Sequence, residues 1–149
     1  HCDRVQMANL AQTINVLQSV ILTEGNKLVL TPTYHIFNMY KVHQDAEALS
    51  VNIQETEYCC GEAKIPQIRI HVSLCNLNPK EGAVVNCELR GDKKARVSGT
   101  VLTSSEMNAF NDFDSPDHVK PEVFSDAVIK GSDMKVDLPA MSVVILTLE

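Results

Sequence analysis

The sequence predicts a mainly β protein, most of which is an antiparallel β-sandwich. Three observations indicate this class. Seven short segments have the composition of strands, several of them alternate apolar and polar residues, and turn residues separate them. Before residue 45 the pattern is mixed and includes one clear helix start. We therefore divide the chain into a mixed segment, residues 1–45, and a sandwich, residues 46–149.

The mixed segment begins with residues that are less regular than the sandwich. Arg4–Leu10 is expected to form a short strand with apolar residues on both faces, as in a sheet covered by helices. Residues 13–22 fit either a helix or an extended strand, because helical spacing and β-branched side chains compete there. Glu24–Lys27 has the composition of a turn.

A helix is predicted over residues 32–42. Thr31 is a good N-cap, and Pro32 suits the first helical position, where its missing N–H costs little. Three apolar side chains are expected to share one face of this helix: Ile36, Phe37 and Tyr40.

The first four predicted strands of the sandwich are 48–58, 67–75, 83–90 and 95–103, and the turn at 91–94 is expected to join the last two as a hairpin. Alternation indicates one face turned to a core. The inward-facing residues of the second and third strands are expected to be Ile68, Ile70, Val72, Leu74, Val85, Cys87 and Leu89.

Three further strands are predicted at 123–130, 134–138 and 142–148. The preceding loop, 104–121, is long and polar. Loops of this length in a compact domain are either functional or packed against another part of the molecule.

Composition excludes several classes of function. The 149 residues carry a formal charge of −6 and 44% hydrophobic residues. An acidic chain is unsuited to binding nucleic acid, and no apolar run approaches the ~20 residues that span a bilayer. Aromatic residues make up 5% and Trp is absent, which disfavours a carbohydrate-binding module with aromatic platforms.

Residues that could bind metal are not spaced as ligands. His35 and His43 are eight positions apart, and neither i, i+4 nor C-x2-C spacing occurs, so no metal or other cofactor is expected. Cys75 and Cys87 are expected to be buried free thiols, whereas the pairing of Cys59-Cys60 stays open. The spacing of Tyr34, Phe37 and Tyr40 fits packing better than stacking on a sugar.

Four stretches resemble one enzyme family: Asp3-Arg4-Val5, Leu10-Ala11-Gln12, Thr31-Pro32-Thr33-Tyr34 and Asn108-Ala109-Phe110-Asn111. The chain is similar to the C-terminal part of glycoside hydrolase family 51, the retaining α-L-arabinofuranosidases. The resemblance implies that residues 1–45 are a remnant of a catalytic (β/α)8 barrel and that residues 46–149 are a jelly-roll-like sandwich packed on it. It also implies that this chain is the end of a larger enzyme, cut within its barrel.

The resemblance assigns no catalytic residue to this chain, because both catalytic glutamates of the family lie upstream, so the fragment alone is expected to be inactive. Gln12 matches the family glutamine that hydrogen-bonds the bound arabinose, and it is our candidate substrate-binding residue. The alternative for Gln12 is a side chain that ties down a strand end. Asn15 is expected to tether backbone rather than to bind sugar.

The expected partners are arabinofuranosyl-containing glycans, the enzyme's own barrel and further copies in a homo-oligomer, but neither nucleic acid nor a membrane. A stand-alone carbohydrate-binding or structural sandwich is the alternative, and cytoplasmic and exported locations both stay open. Apolar residues that would face the barrel should be exposed in this chain: Val5, Met7, Ile14 and Leu17. The alternatives are that they pack on the sandwich, swap between chains or form a dimer contact.

Overall fold

A computed structural model describes residues 7, 9–10, 12–17, 19–49, 70–90 and 96–149. The described part is mainly β, and all its paired strands run antiparallel. The elements in chain order are β1 Ile21–Glu24, β2 Lys27–Leu30, α1 Pro32–Tyr40, a 3-10 turn Lys41–His43, β3 Ile70–Asn76, β4 Ala83–Glu88, β5 Val97–Thr103, β6 Glu122–Phe124, β7 Ala127–Lys130, β8 Asp133–Leu138 and β9 Ser142–Leu148.

Two sheets face each other across the main core. One has the strand order β3-β9-β5-β6 and the other β4-β8-β7. The fully buried side chains between them come from both sheets, with Val144, Leu146 and Leu148 on one side and Met134 and Val136 on the other. This arrangement confirms the antiparallel sandwich.

The predicted inward faces of β3 and β4 are confirmed within the described residues. Ile70, Val72 and Leu74 pack on the core from β3, and Val85 and Cys87 pack on it from β4. Cys75 lies on the opposite face of β3 and is exposed, so the expectation of a buried thiol is wrong there. Alternation had already placed this side chain away from the core.

The expected hairpin between residues 83–90 and 95–103 is wrong. β4 pairs with β8, whereas β5 pairs with β6 and β9 in the opposite sheet. Strands from both sheets turn an apolar face to the same core, so alternation identifies the buried face of a strand but not its neighbour.

The single strand expected over 123–130 is two strands in different sheets. Phe124 of β6 and Ala127 of β7 are both buried, although they are three residues apart. A continuous strand would turn residues an odd number apart to opposite faces. The chain therefore changes sheet at Ser125-Asp126, where the Asp126 carbonyl accepts a hydrogen bond from the Asp137 amide (2.9 Å).

Helix α1 covers the outer face of the four-stranded sheet. Thr31 is its N-cap and Pro32 lies at its start, as expected. The face that packs on the sheet is formed by Ile36 and Met39, together with Leu102 and Ile145 of the sandwich. The expected face was wrong for Phe37 and Tyr40, which are exposed.

Residues 21–30 form a two-stranded hairpin, β1–β2, closed by the expected turn at 24–27. Residues 21 and 22, the end of the stretch 13–22 that fitted either a helix or a strand, therefore lie in a strand. Met7, Asn9 and Leu10 have no regular structure, and the other residues of the strand expected at 4–10 lie outside the described part. A barrel remnant is not evident in the described residues. Most of the strand expected at 48–58 also lies outside them.

Candidate functional site

Gln12, the predicted substrate-binding residue, is exposed beside the β1–β2 hairpin. Its backbone has φ 46°, in the left-handed region that non-glycine residues seldom adopt. Among the described residues, no hydrogen bond to its side chain is found. The exposed side-chain amide of Gln12 is therefore accessible to solvent.

The residue after Gln12 fixes this backbone. The carbonyl oxygen of Thr13 accepts hydrogen bonds from the amides of Val20 (3.0 Å) and Ile21 (3.1 Å). These two amides belong to the start of β1 and the residue before it. Gln12 is thus positioned by the first strand of the hairpin.

Asn15 is a backbone tether, as expected. Its Oδ1 accepts from the Thr23 amide (2.7 Å), and its Nδ2 donates to the Thr23 carbonyl (3.1 Å) and Oγ1 (3.0 Å). Asn15 itself has φ 54°. Two residues with left-handed backbone, Gln12 and Asn15, therefore lie in a short segment that is pinned to the hairpin.

The hairpin is joined to the sandwich through Asn111, which is only 1% exposed. Its Nδ2 donates to the Leu30 carbonyl at the end of β2 (2.8 Å) and to the Val119 carbonyl (2.9 Å). Sequence reasoning singled out Asn111 only as part of a resembling motif and gave it no role. Its partner Leu30 is 81 positions away, and no local pattern reports a contact of that separation.

The long loop of residues 104–121 is packed against other parts of the molecule, which is one of the two expectations for it. Val119 is buried, and Ala109 packs on the same cluster as Met39 and Leu102. Asp112 orders the loop by accepting from the amides of Asp114 (2.9 Å) and Ser115 (2.6 Å).

One histidine, His35, lies within α1, and another, His43, lies in the 3-10 turn that follows it. Burial lowers the pKa of His35, and the nearby Asp117 partly offsets this effect. Burial, followed by the proximity of His71, lowers the pKa of His43. Within the described residues no group of three or more His, Cys, Asp or Glu side chains is placed to hold a metal ion.

Two cavities lined by described residues lie away from Gln12. One of about 310 Å³ lies between α1 and the four-stranded sheet and includes Asn38, Ser98 and Thr147 in its lining. An open groove of about 490 Å³ lies on the outer face of the three-stranded sheet, where Lys135 pairs with Asp137 at 2.9 Å. No helix in the described part is long and apolar enough to cross a membrane.

Comparison with known proteins identifies the family. A family model described as the alpha-L-arabinofuranosidase C-terminal domain matches residues 1–142. An intracellular exo-alpha-L-arabinofuranosidase of Bacteroides ovatus is 39% identical over 160 aligned residues, which cover 100% of this chain and 31% of that protein.

Solved structures agree. The GH51 arabinofuranosidase of Xanthomonas axonopodis pv. citri matches with a TM-score of 0.87 and 38% identity, over 100% of this chain and 32% of that one. The thermostable GH51 alpha-L-arabinofuranosidase of Thermotoga petrophila shares the fold with a TM-score of 0.74 at 21% identity, over 99% and 35% of the two chains. This chain spans about a third of the length of these relatives. The chain belongs to the alpha-L-arabinofuranosidase C-terminal domain family.

Proposed function

We propose that this chain acts within a larger retaining α-L-arabinofuranosidase, which hydrolyses terminal α-L-arabinofuranosyl residues of arabinose-containing glycans. The observation that carries the proposal is the match along the whole chain, at 38–39% identity, to proteins named arabinofuranosidases. Residues 46–149 serve as a scaffold for the catalytic barrel and as a contact between enzyme copies. Residues 1–45 belong to the barrel side.

The catalytic carboxylates are assigned to the remainder of that enzyme. Retaining hydrolysis needs two carboxyl groups about 5 Å apart, one as nucleophile and one as acid and base. Four glutamates of the described part, Glu24, Glu47, Glu88 and Glu106, are exposed in separate elements and loops. Such positions suit solvated charges rather than a shared catalytic site.

Gln12 contributes one hydrogen-bonding group to the arabinose pocket of this enzyme. A primary amide donates two hydrogen bonds and accepts others, which matches the hydroxyl groups of a sugar. Its exposed side chain and anchored backbone support this role over the alternative of a strand-end tether, because the tethering is performed by Thr13 and Asn15. A fixed backbone reduces the conformational entropy lost on binding.

The first experiment measures nitrophenol release from a nitrophenyl α-L-arabinofuranoside. It compares this chain with an enzyme in which the chain is extended upstream through a barrel. We expect activity only in the extended enzyme. Hydrolysis by the 149-residue chain itself, after removal of contaminants, would contradict the assignment of the carboxylates to another part of the enzyme.

Gln12→Ala in the extended enzyme is expected to lower kcat/KM about tenfold to a hundredfold, since a sugar hydroxyl loses its partner in a site shielded from water. Gln12→Gly is the control for backbone effects, because glycine adopts positive φ without strain. Gln44→Ala removes the same amide from an exposed position elsewhere and should leave kcat/KM unchanged. Equal activity of Gln12→Gly and the unmodified enzyme would contradict the binding role.

For the alternative, a sugar-binding sandwich module, we take the groove on the three-stranded sheet as the candidate site. Its lining residues include no aromatic ring to stack on a sugar. Calorimetric titration of the chain with arabino-oligosaccharides separates the two functions. Binding at millimolar or tighter affinity that is lost in Asn86→Ala would favour the module.

A further inference from the structure

The side chain of Asn111 uses both of its N–H groups on different parts of the fold. One goes to the Leu30 carbonyl of β2, and the other goes to the Val119 carbonyl of its own loop (2.8 and 2.9 Å). Its Oδ1 accepts from the Val119 amide (2.7 Å). A buried amide with these partners fixes the end of β2 relative to the sandwich, because a broken bond would leave a buried carbonyl unpaired.

Hydrogen bonds continue from the end of β2 to Thr13, the residue after Gln12. Thr31, the residue after Leu30, donates from its amide to the Val20 carbonyl (3.2 Å) and from its hydroxyl to the Ser19 carbonyl (2.8 Å). The Val20 amide in turn donates to the Thr13 carbonyl (3.0 Å). Thr13 is the immediate neighbour of Gln12.

These hydrogen bonds matter because the β1–β2 hairpin has little stability of its own. β1 and β2 are four residues each, and an isolated two-stranded hairpin is marginal in water. Its place in the molecule therefore depends on tertiary links. Asn111 supplies such a link from the loop between β5 and β6.

We propose that Asn111 is a positioning residue for substrate binding: through Leu30, Thr31 and Val20 it sets the place of the Gln12 amide that contacts the arabinofuranosyl unit. The inference rests on the proposed function and deepens it, since it gives the sandwich a part in substrate affinity. Asn111 does not touch the sugar.

Asn76 provides a matched control. It is 8% exposed, its Nδ2 donates to the carbonyls of Glu81 and Pro139 (both 2.9 Å), and its Oδ1 accepts from the Asn78 amide (3.0 Å). All these partners lie within the sandwich. Asn76→Ala therefore removes a bonding set of the same kind without touching the hairpin.

The experiment compares Asn111→Ala and Asn76→Ala in the extended arabinofuranosidase, with nitrophenyl α-L-arabinofuranoside as the substrate. Both variants should lower Tm. Only Asn111→Ala should raise KM, by about tenfold, because a displaced binding group weakens affinity steeply with distance. A purely structural loss would reduce the active fraction, and with it apparent kcat, at unchanged KM.

A double-mutant cycle tests whether Asn111 acts through Gln12. In the Gln12→Ala background, Asn111→Ala should change KM less than about twofold, because coupled residues are not additive. If Asn111→Ala folds poorly, Thr31→Val replaces it in the experiment. This substitution keeps the side-chain shape and removes the hydroxyl that donates to Ser19, and it should also raise KM. Hydrogen exchange at the amides of Val20, Ile21 and Thr31 should speed up in Asn111→Ala and not in Asn76→Ala.

Equal KM values in the two alanine variants, or independent effects of Asn111→Ala and Gln12→Ala, would overturn the positioning role. No hydrolysis by the unmodified extended enzyme would instead overturn the proposed function. The two failures are therefore distinguishable.

Discussion

His43 is a histidine whose surroundings favour the neutral ring. Its Nε2 is buried and has no hydrogen-bond partner among the described residues. Its ring centroid is 5.6 Å from that of Tyr40 and 6.3 Å from that of His71. Loss of hydration and, second, the neighbouring His71 lower the pKa of His43. His71 itself contacts the Thr147 hydroxyl through Nδ1 (3.0 Å).

The lowered pKa predicts a loss of stability in mild acid. The unfolded chain binds a proton at about pH 6.5, before the folded protein does, so His43 lowers the free energy of unfolding as pH falls through that value. His43→Phe should make the decrease between pH 7.5 and pH 5 smaller, as measured by urea denaturation. His118→Phe, at an exposed loop position, should keep the original decrease. An identical pH dependence in all three proteins would contradict this account.

Residue type alone predicted some of the site. An asparagine in an irregular segment favours backbone contacts, and Asn15 makes them. The identity of its partner, Thr23, was not predictable, because it depends on how the hairpin folds back over eight residues. The proposed role of Gln12 came from a resembling motif, and its left-handed backbone has no signal in a glutamine.

At the scale of elements, local sequence predicted where a helix begins better than which strands pair with each other. Thr31 and Pro32 located the start of α1 because capping depends on adjacent residues. The prediction of the buried face of α1 was wrong, because the apolar side chain of Phe37 is turned away from the sheet. Met39 packs on the sheet instead. Strand neighbours in a sandwich depend on contacts distant in sequence, which alternation does not encode.

Gly99 shows how closely β5 approaches its neighbours. It pairs with Leu146 on one side and Phe124 on the other. A Cβ added at Gly99 would lie 2.8 Å from the Leu146 Cδ2 and 3.0 Å from the Phe124 Cδ1, well inside ordinary contact. The strand tolerates a missing side chain here because the space is already filled by those two residues.

Gly99→Ala is therefore expected to lower the free energy of unfolding by about 1–3 kcal/mol, the usual cost of overpacking a core. Ser98→Ala, one residue earlier at an exposed position of β5, should change it by less than about 0.5 kcal/mol. Urea denaturation monitored by circular dichroism gives both values. Equal stability of Gly99→Ala and the unmodified chain would show that Leu146 and Phe124 shift without cost.

At the scale of the whole molecule, the N-terminal segment has several exposed apolar side chains. Leu17 is 93% exposed, and Met7 and Ile14 are also exposed, as expected for residues that would face a barrel. Val5 lies outside the described residues. In the proposed enzyme the barrel covers this surface, and in the isolated chain water contacts it.

Exposed apolar side chains in one segment should make the isolated chain self-associate. Leu17→Gln should weaken this association by about 1.5–3 kcal/mol, the gain from burying a leucine, and so raise the dissociation constant more than tenfold. Val123→Gln is the matched control, since Val123 is 90% exposed on β6, within the sandwich. Light scattering over a range of concentrations measures the association of all three proteins. An unmodified chain that stays monomeric at every concentration, or an equal effect of both substitutions, would contradict the assignment of the N-terminal segment as the surface that a barrel covers.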